Sequence, residues 1–363
     1  MMTLQPHRFR FSIVRSRRCL RSLGCLSFLI LLVGCVNQCE VPFPPSSFID
    51  KMRILAIQAE PPEVTPGQPV KLRFLAVDSK GIVPTTGFLP FPSCLSDGGP
   101  ADPSALWVGC LPGVGPVEDS SRSCTDFSFI SGASDGGGAD GGGADGGGGI
   151  DLSKFQITSP PCGVSVSWQT PAAYLNPLNA EEQTKGREAV MVLSARIQGL
   201  DQVSFKRVRL SKREPPKQNT NPRFLGITMG GMEVDCCDER NPDACKPHEI
   251  PADASVEIRA RIDPQSQDLL PTPLPDQPRE DISIVWFTNA GEFNRQSTVL
   301  SGKNPPRDSP WPTWFPTDFQ GKPLSEGTQA TIVAVAQDFR GGIGWMVCRL
   351  RLGPPKKTEA VPD

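Results

Sequence analysis

Past residue 34 the 363-residue chain keeps one histidine, His248, and it stands beside cysteines: Cys236-Cys237, seven residues, Cys245, Lys246, Pro247, His248. Three thiols and an imidazole could hold zinc tetrahedrally. In an oxidising compartment the same thiols are disulfide formers, and Cys348 offers one of them a distant partner. The disulfide reading is the stronger, so no metal is expected. A second group, Trp311, Trp314, Phe315 and Phe319, lies in NPPRDSPWPTWFPTDF (304–319), which is proline-rich and carries no strand pattern. Aromatic rings on a rigid loop can contact a ligand, gripping sugar or a protein edge. The same rings can fold back to cover the open end of a β structure, and that is the stronger reading. A third group, Asp135, Asp140 and Asp145, recurs every five residues in DGGGADGGGADGGGG (135–149). Calcium needs many oxygens from a defined loop, whereas a flexible insertion accounts for the glycines directly.

Catalytic patterns are missing. The chain has no H-E-x-x-H and no phosphate-cradling glycine loop. One histidine makes a histidine-based triad or zinc enzyme hard to assemble. Carboxylates are plentiful, but nothing sets two of them apart as an acid/base pair. The expectation is a protein that is not an enzyme and needs no cofactor, with an envelope hydrolase as the distant alternative.

The elements that position these residues begin with the N-terminus. Arg8, Arg10, Arg15, Arg17, Arg18 and Arg21 precede the apolar run Leu26–Val33, and no acid occurs before residue 40. A basic segment, a short apolar core and a small residue before a break make an export signal. The run is too short for a permanent span, which wants about 20 apolar residues. Leu32-Val33-Gly34-Cys35 resembles the lipobox of bacterial lipoproteins. That resemblance implies cleavage before Cys35 and a covalent lipid on it, a diacylglycerol on the thiol and an N-acyl chain. Two or more acyl chains hold a protein firmly at a bilayer where one holds it marginally. Membrane contact through the lipid anchor follows, with the body facing the periplasm or cell surface from the outer or inner membrane.

Removing residues 1–34 leaves 31 basic and 39 acidic residues, a balance of −8. Nucleic acid is therefore not an expected partner, since its binding needs a basic footprint. Proline and glycine together make 74 residues, which favours many turns and short elements over long helices. Nine cysteines remain beyond Cys35, an odd number: Cys39, Cys94, Cys110, Cys124, Cys162, Cys236, Cys237, Cys245 and Cys348. Adjacent Cys236 and Cys237 should reach different partners, with Cys245 and Cys348 as candidates, and connectivity stays open.

Period-two alternation predicts strands at Met52–Gln58, Val70–Ala76, Gly163–Trp168, Ala189–Ile197 and Val203–Leu210. The stretch 84–161 reads as loop-rich. SKREPPKQNTNP (211–222) is polar and proline-flanked, as a domain boundary would be. Strands resume at Phe224–Met229, Ala254–Asp263 and Ile282–Phe287. Thr331–Gln337 and Ile343–Leu352 read as a closing hairpin turned at Gly341-Gly342. ILAIQAEPPEVTPGQPVKLRFLAVD resembles the opening of bacterial immunoglobulin-like modules, and ISIVWFTNAGEF with TIVAVAQDFRGGIGWMVCRLRL resembles their later strands. The layout is similar to that of lipoproteins of predatory and soil bacteria of the myxobacterial kind. Neither set has the Cys-Trp-Cys spacing of antibody domains.

The expected architecture is all-β: two immunoglobulin-like β-sandwich domains after a lipoprotein signal peptide, with a long glycine-rich loop insertion in the first. Residues 1–34 form the signal, 35–52 the lipidated cysteine and tether, 53–211 the first domain with a disordered repeat at 135–149, 222–353 the second domain, and 354–363 a disordered tail. The expected role is a membrane-anchored, non-enzymatic structural or protein-interaction module of the cell envelope. The alternative is a lipoprotein that binds carbohydrate or another ligand, so an envelope protein or polysaccharide is the expected partner.

Overall fold

A computed structural model describes residues 46–83, 104–110, 165–214, 217–237, 246–303 and 308–355. They lie within one compact unit, Pro44–Asp363. The predicted signal, Cys35, the 135–149 repeat and residues 356–363 fall outside the described residues. So do Cys39, Cys94, Cys124, Cys162 and Cys245.

The architecture is all-β with several sheets. The first set of strands is β1 (Arg53–Glu60), β2 (Glu63–Val64), β3 (Pro69–Asp78), β4 (Gly81–Ile82), β5 (Ser104–Cys110), β6 (Ser165–Gln169), β7 (Arg187–Ile197) and β8 (Leu200–Leu210). They form one sheet ordered β1-β3-β4 with β6 on the flank of β3, and a second ordered β2-β8-β7-β5. A short α-helix, the only one among the described residues, α1 (Ala180–Lys185), precedes β7 and is closed by a capping box between Asn179 and Glu182. Leu72 and Phe74 of β3, Trp168 of β6, Trp107 of β5 and Met191 and Leu193 of β7 share one apolar core, so both sheets build it.

The second set begins with β9 (Phe224–Met229), β10 (Met232–Val234), β11 (Cys236–Cys237), β12 (His248–Pro251) and β13 (Val256–Ile262). It continues through β14 (Leu269–Leu274), β15 (Gln277–Arg279), β16 (Ile282–Thr288), β17 (Glu292–Phe293) and β18 (Ser297–Leu300). It ends with β19 (Thr313–Phe315), β20 (Gln329–Asp338) and β21 (Ile343–Gly353). One sheet runs β10-β9-β13-β19-β17, another β11-β21-β20-β16-β18 with β12 parallel to β21, and β14-β15 stand as a separate ribbon. Ile227, Ile258, Ile284, Trp286, Trp314 and Ile332 fill the core they share. The β20–β21 hairpin turns at Gly341, whose φ of +96° is the left-handed region that favours glycine.

A third apolar cluster joins the two sets. Leu75 and Val77 of β3 meet Val333 and Val335 of β20 and Val347 of β21, around Ile49. β3 and β20 are thus buried on both faces: Leu72 and Phe74 point into one core while Leu75 points into the junction. Period-two geometry requires that opposition. The tether expected over 35–52 is not wholly free. Ser47 O accepts from Thr288 N at 2.9 Å and Ile49 N donates to Thr288 O at 2.7 Å, docking residues 47–49 on the end of β16.

Candidate functional site

Where the two sets meet, ionisable side chains from both are buried together. Glu63, on β2, is 0% exposed. It sits in the AEPPEVT turn, where β2 pairs in parallel with the end of β8. Its Oε1 accepts from Ser211 Oγ at 2.6 Å, and its Oε2 from the Asn219 amide at 2.8 Å and from Arg340 Nη2 at 3.1 Å. Arg213 Nη1 approaches the same carboxylate at 3.3 Å. Arg340 therefore reaches out of the β20–β21 turn into the first set.

The second set surrounds that guanidinium with its own acids. Arg340 Nη1 lies 3.7 Å from Asp268 Oδ2 and 3.9 Å from Glu280 Oε2. Asp338 shapes the turn: its Oδ1 accepts from the backbone amides of Arg340 at 2.7 Å and Gly342 at 2.8 Å. Asn219 Nδ2 donates to Asp338 Oδ2 at 3.1 Å, and Thr220 N donates to Asp268 Oδ2 at 2.8 Å. The segment expected as a domain boundary is thereby hydrogen-bonded to both sets. Lys206 of β8 completes the group, its Nζ donating to Gly341 O.

Burial governs the protonation of this group. Desolvation pushes the Glu280 carboxyl up to about 8, with Asp338 adding to the rise and Arg340 opposing it. Desolvation also raises Asp268, against hydrogen bonds from Thr220 and the charge of Arg340. Lys206 is pulled down to about 8 by desolvation, with Asp338 resisting. The arrangement is a charge clamp, with four carboxyls and three cationic side chains held at one seam.

Two asparagines repeat the clamp in neutral form. Asn221 donates to Ala59 O at 2.7 Å and accepts from Ile343 N at 2.9 Å. Asn289 donates to Ser79 O at 2.9 Å and accepts from Thr331 N at 2.7 Å. Each amide spends its donor on the first set and its acceptor on the second. Arg73 of β3 adds a cation–π contact, 4.7 Å from the ring centroid of Trp345 on β21.

The aromatic candidates are not presented together. Trp314 lies on β19, opposite Val256 of β13 and Phe293 of β17, so the region expected to lack strands contains a short one. Its ring is 0% exposed and its Nε1 donates to Ala290 O at 3.1 Å, which leaves no face for a ligand. Gly291, at φ +79°, lies against that ring so closely that any Cβ would collide with it. Trp311 packs partly buried on the second core. Phe315 is half-buried, and Phe319 meets Phe48 with ring centroids 5.8 Å apart. The cysteine–histidine group is also divided. Cys236 is bonded to Cys348, directly opposite on β21, which removes its thiol as a metal ligand. Cys237 contributes a backbone pair to β21. His248 stands on β12 opposite Leu350, with a buried Nε2 that meets no hydrogen-bond partner. No group of three or more metal-ligating side chains is assembled among the described residues.

No protein-family model matches the chain. No curated protein matches it either. Among solved structures, the dimeric latent PorU of Porphyromonas gingivalis is 11% identical over 84% of this chain and 24% of that one, with a TM-score of 0.20. A 1.5-MDa bacterial ice-binding adhesin, described for its retention on the host cell surface, is 9% identical over 85% of this chain and 66% of that one, with a TM-score of 0.18. At these scores neither supplies a fold or a role.

Sequence reasoning missed the charged seam. Glu63 reads as a turn residue and Arg340 as part of a hairpin loop. One signal was available: IVAVA in β20 is apolar without interruption, the pattern of a strand buried on both faces.

Proposed function

We propose that this chain is a lipid-anchored protein of the bacterial cell envelope, working as a non-enzymatic structural or protein-interaction module. Two immunoglobulin-like β-sandwiches, 53–211 and 222–353, form its body, and Cys35 carries the lipid. The observation that carries the structural part of this reading is the seam: buried ion pairs, bridging asparagines and an apolar cluster all join one strand set to the other. Such an arrangement favours a stiff body over two freely swivelling modules. The lipobox residues Leu32–Cys35 support the anchor, and the described residues contain no helix long and apolar enough to cross a membrane.

The carbohydrate-binding alternative now rests on Trp311, Phe315 and Phe319, since Trp314 is core. Protection of tryptophan fluorescence by envelope polysaccharide would favour it. The anchor is tested with a palmitate analogue and intact mass in the native bacterium. Label, and a chain beginning at Cys35, are expected in the wild type and lost in Cys35→Ala. An unlabelled wild-type chain would sink the lipoprotein reading and leave the β body to be explained as a secreted protein.

A further inference from the structure

We propose that the seam is a proton-operated latch: Arg340 grips Glu63 across the two strand sets while Glu280 is neutral, and ionisation of Glu280 loosens that grip. One guanidinium meets carboxyls from both strand sets. Glu63 takes Arg340 Nη2 from the first set, while Asp268 and Glu280, from Arg340's own set, flank Nη1 at 3.7 and 3.9 Å. Glu280 is 2% exposed. Its Oε1 accepts from the Asp268 amide at 3.1 Å, but its Oε2 meets no hydrogen-bond donor. A buried carboxylate with an undonated oxygen is costly, and a neutral carboxyl there costs much less.

The surroundings of Glu280 sharpen the case. Asp268 faces it from the turn before β14, Asp338 from the end of β20, and Arg340 from the β20–β21 turn. Beyond Arg340 stand Glu63 of β2 and Arg213, and Lys206 of β8 comes to the same turn at Gly341. With Glu280 neutral, three carboxylates balance three cations. With Glu280 ionised the seam carries an excess negative charge, and Arg340 has a stronger competitor to Glu63 inside its own set. Opening the seam rehydrates Glu280 and releases its proton, so closure takes one proton up. The seam is therefore tight in acid and loosens as pH rises towards the value of the buried carboxyl.

The test is amide hydrogen exchange of the full chain in detergent micelles, corrected for intrinsic exchange rates, between pH 5 and 8. The probes are the amides of Asn219, Arg340 and Gly342, which donate to Glu63 and Asp338. Opening should rise on the order of tenfold per pH unit across that range. Glu280→Gln should abolish the pH dependence and keep protection at pH 7.5 at or above the wild-type level. An unchanged pH slope in Glu280→Gln, or a flat wild-type profile, overturns the latch. If Glu280→Gln does not fold, the carboxyl of Glu280 can be titrated in the wild type by carbon NMR. A midpoint above 7 supports the latch, and one near 4.5 overturns it.

Discussion

Glu63 is fully buried and charged, a combination that persists because Ser211, Asn219, Arg213 and Arg340 all attend its two oxygens. Removing its charge strands two guanidinia that are themselves about nine-tenths buried. Glu63→Gln is therefore expected to cost about 3–5 kcal/mol, read as a lower urea midpoint at unchanged slope. The pH profile of stability follows from two other residues. Glu280 rises from 4.5 to about 8 on folding, so the folded state holds its proton more tightly. Its contribution is complete below pH 4.5 and is lost as pH climbs to about 8, at up to about 1.4 kcal/mol per pH unit. Lys206 falls from 10.5 to about 8, so the unfolded chain holds more protons between those values and stability recovers there. Denaturant titrations should show a minimum near pH 8. In Lys206→Met the recovery above pH 8 should vanish while the fall below it stays.

At the scale of elements, β21 is the strand most other features depend on. It pairs with β20 along its length, takes β12 in parallel, and is bonded to β11 through Cys236–Cys348 across 112 residues of sequence. A crosslink closing so long a loop restricts the unfolded chain strongly. Cys348→Ala, or reduction, should lower stability by about 2–5 kcal/mol, measured as a fall in melting temperature that reductant reproduces in the wild type alone. Strand positions were largely legible in the sequence, because alternation in VKLRFLAV, ASVEIRARI and ISIVWF reports a pleated element directly. β19 was not. It is three residues long and proline-flanked, and Trp314 is placed by pairing with β13 and by the missing side chain of Gly291. No local pattern contains that information.

The whole molecule is set by the seam. Apolar contact among Leu75, Val333, Val335 and Val347, two bridging asparagines and the Arg340 clamp couple the strand sets, so calorimetry should record one cooperative transition over residues 53–353. Val333→Asp places a charge inside the junction cluster and should separate that transition into two; a single, merely lower transition would argue against coupling through this face. The sequence alone determined what depends on neighbours along the chain: the strand periodicity, the turn at Gly341 and the loss of basic charge beyond residue 34. Tertiary structure decided what depends on distant partners. Glu63 and Arg340 are 277 residues apart, and neither residue's type says that the other will be its counter-ion. Whether Trp314 is a ligand platform or core and whether Cys236 is a metal ligand or a crosslink were likewise settled by packing. Burial, not composition, sets the cost of exposing a ring or ionising a carboxyl, and burial exists only once the chain has folded.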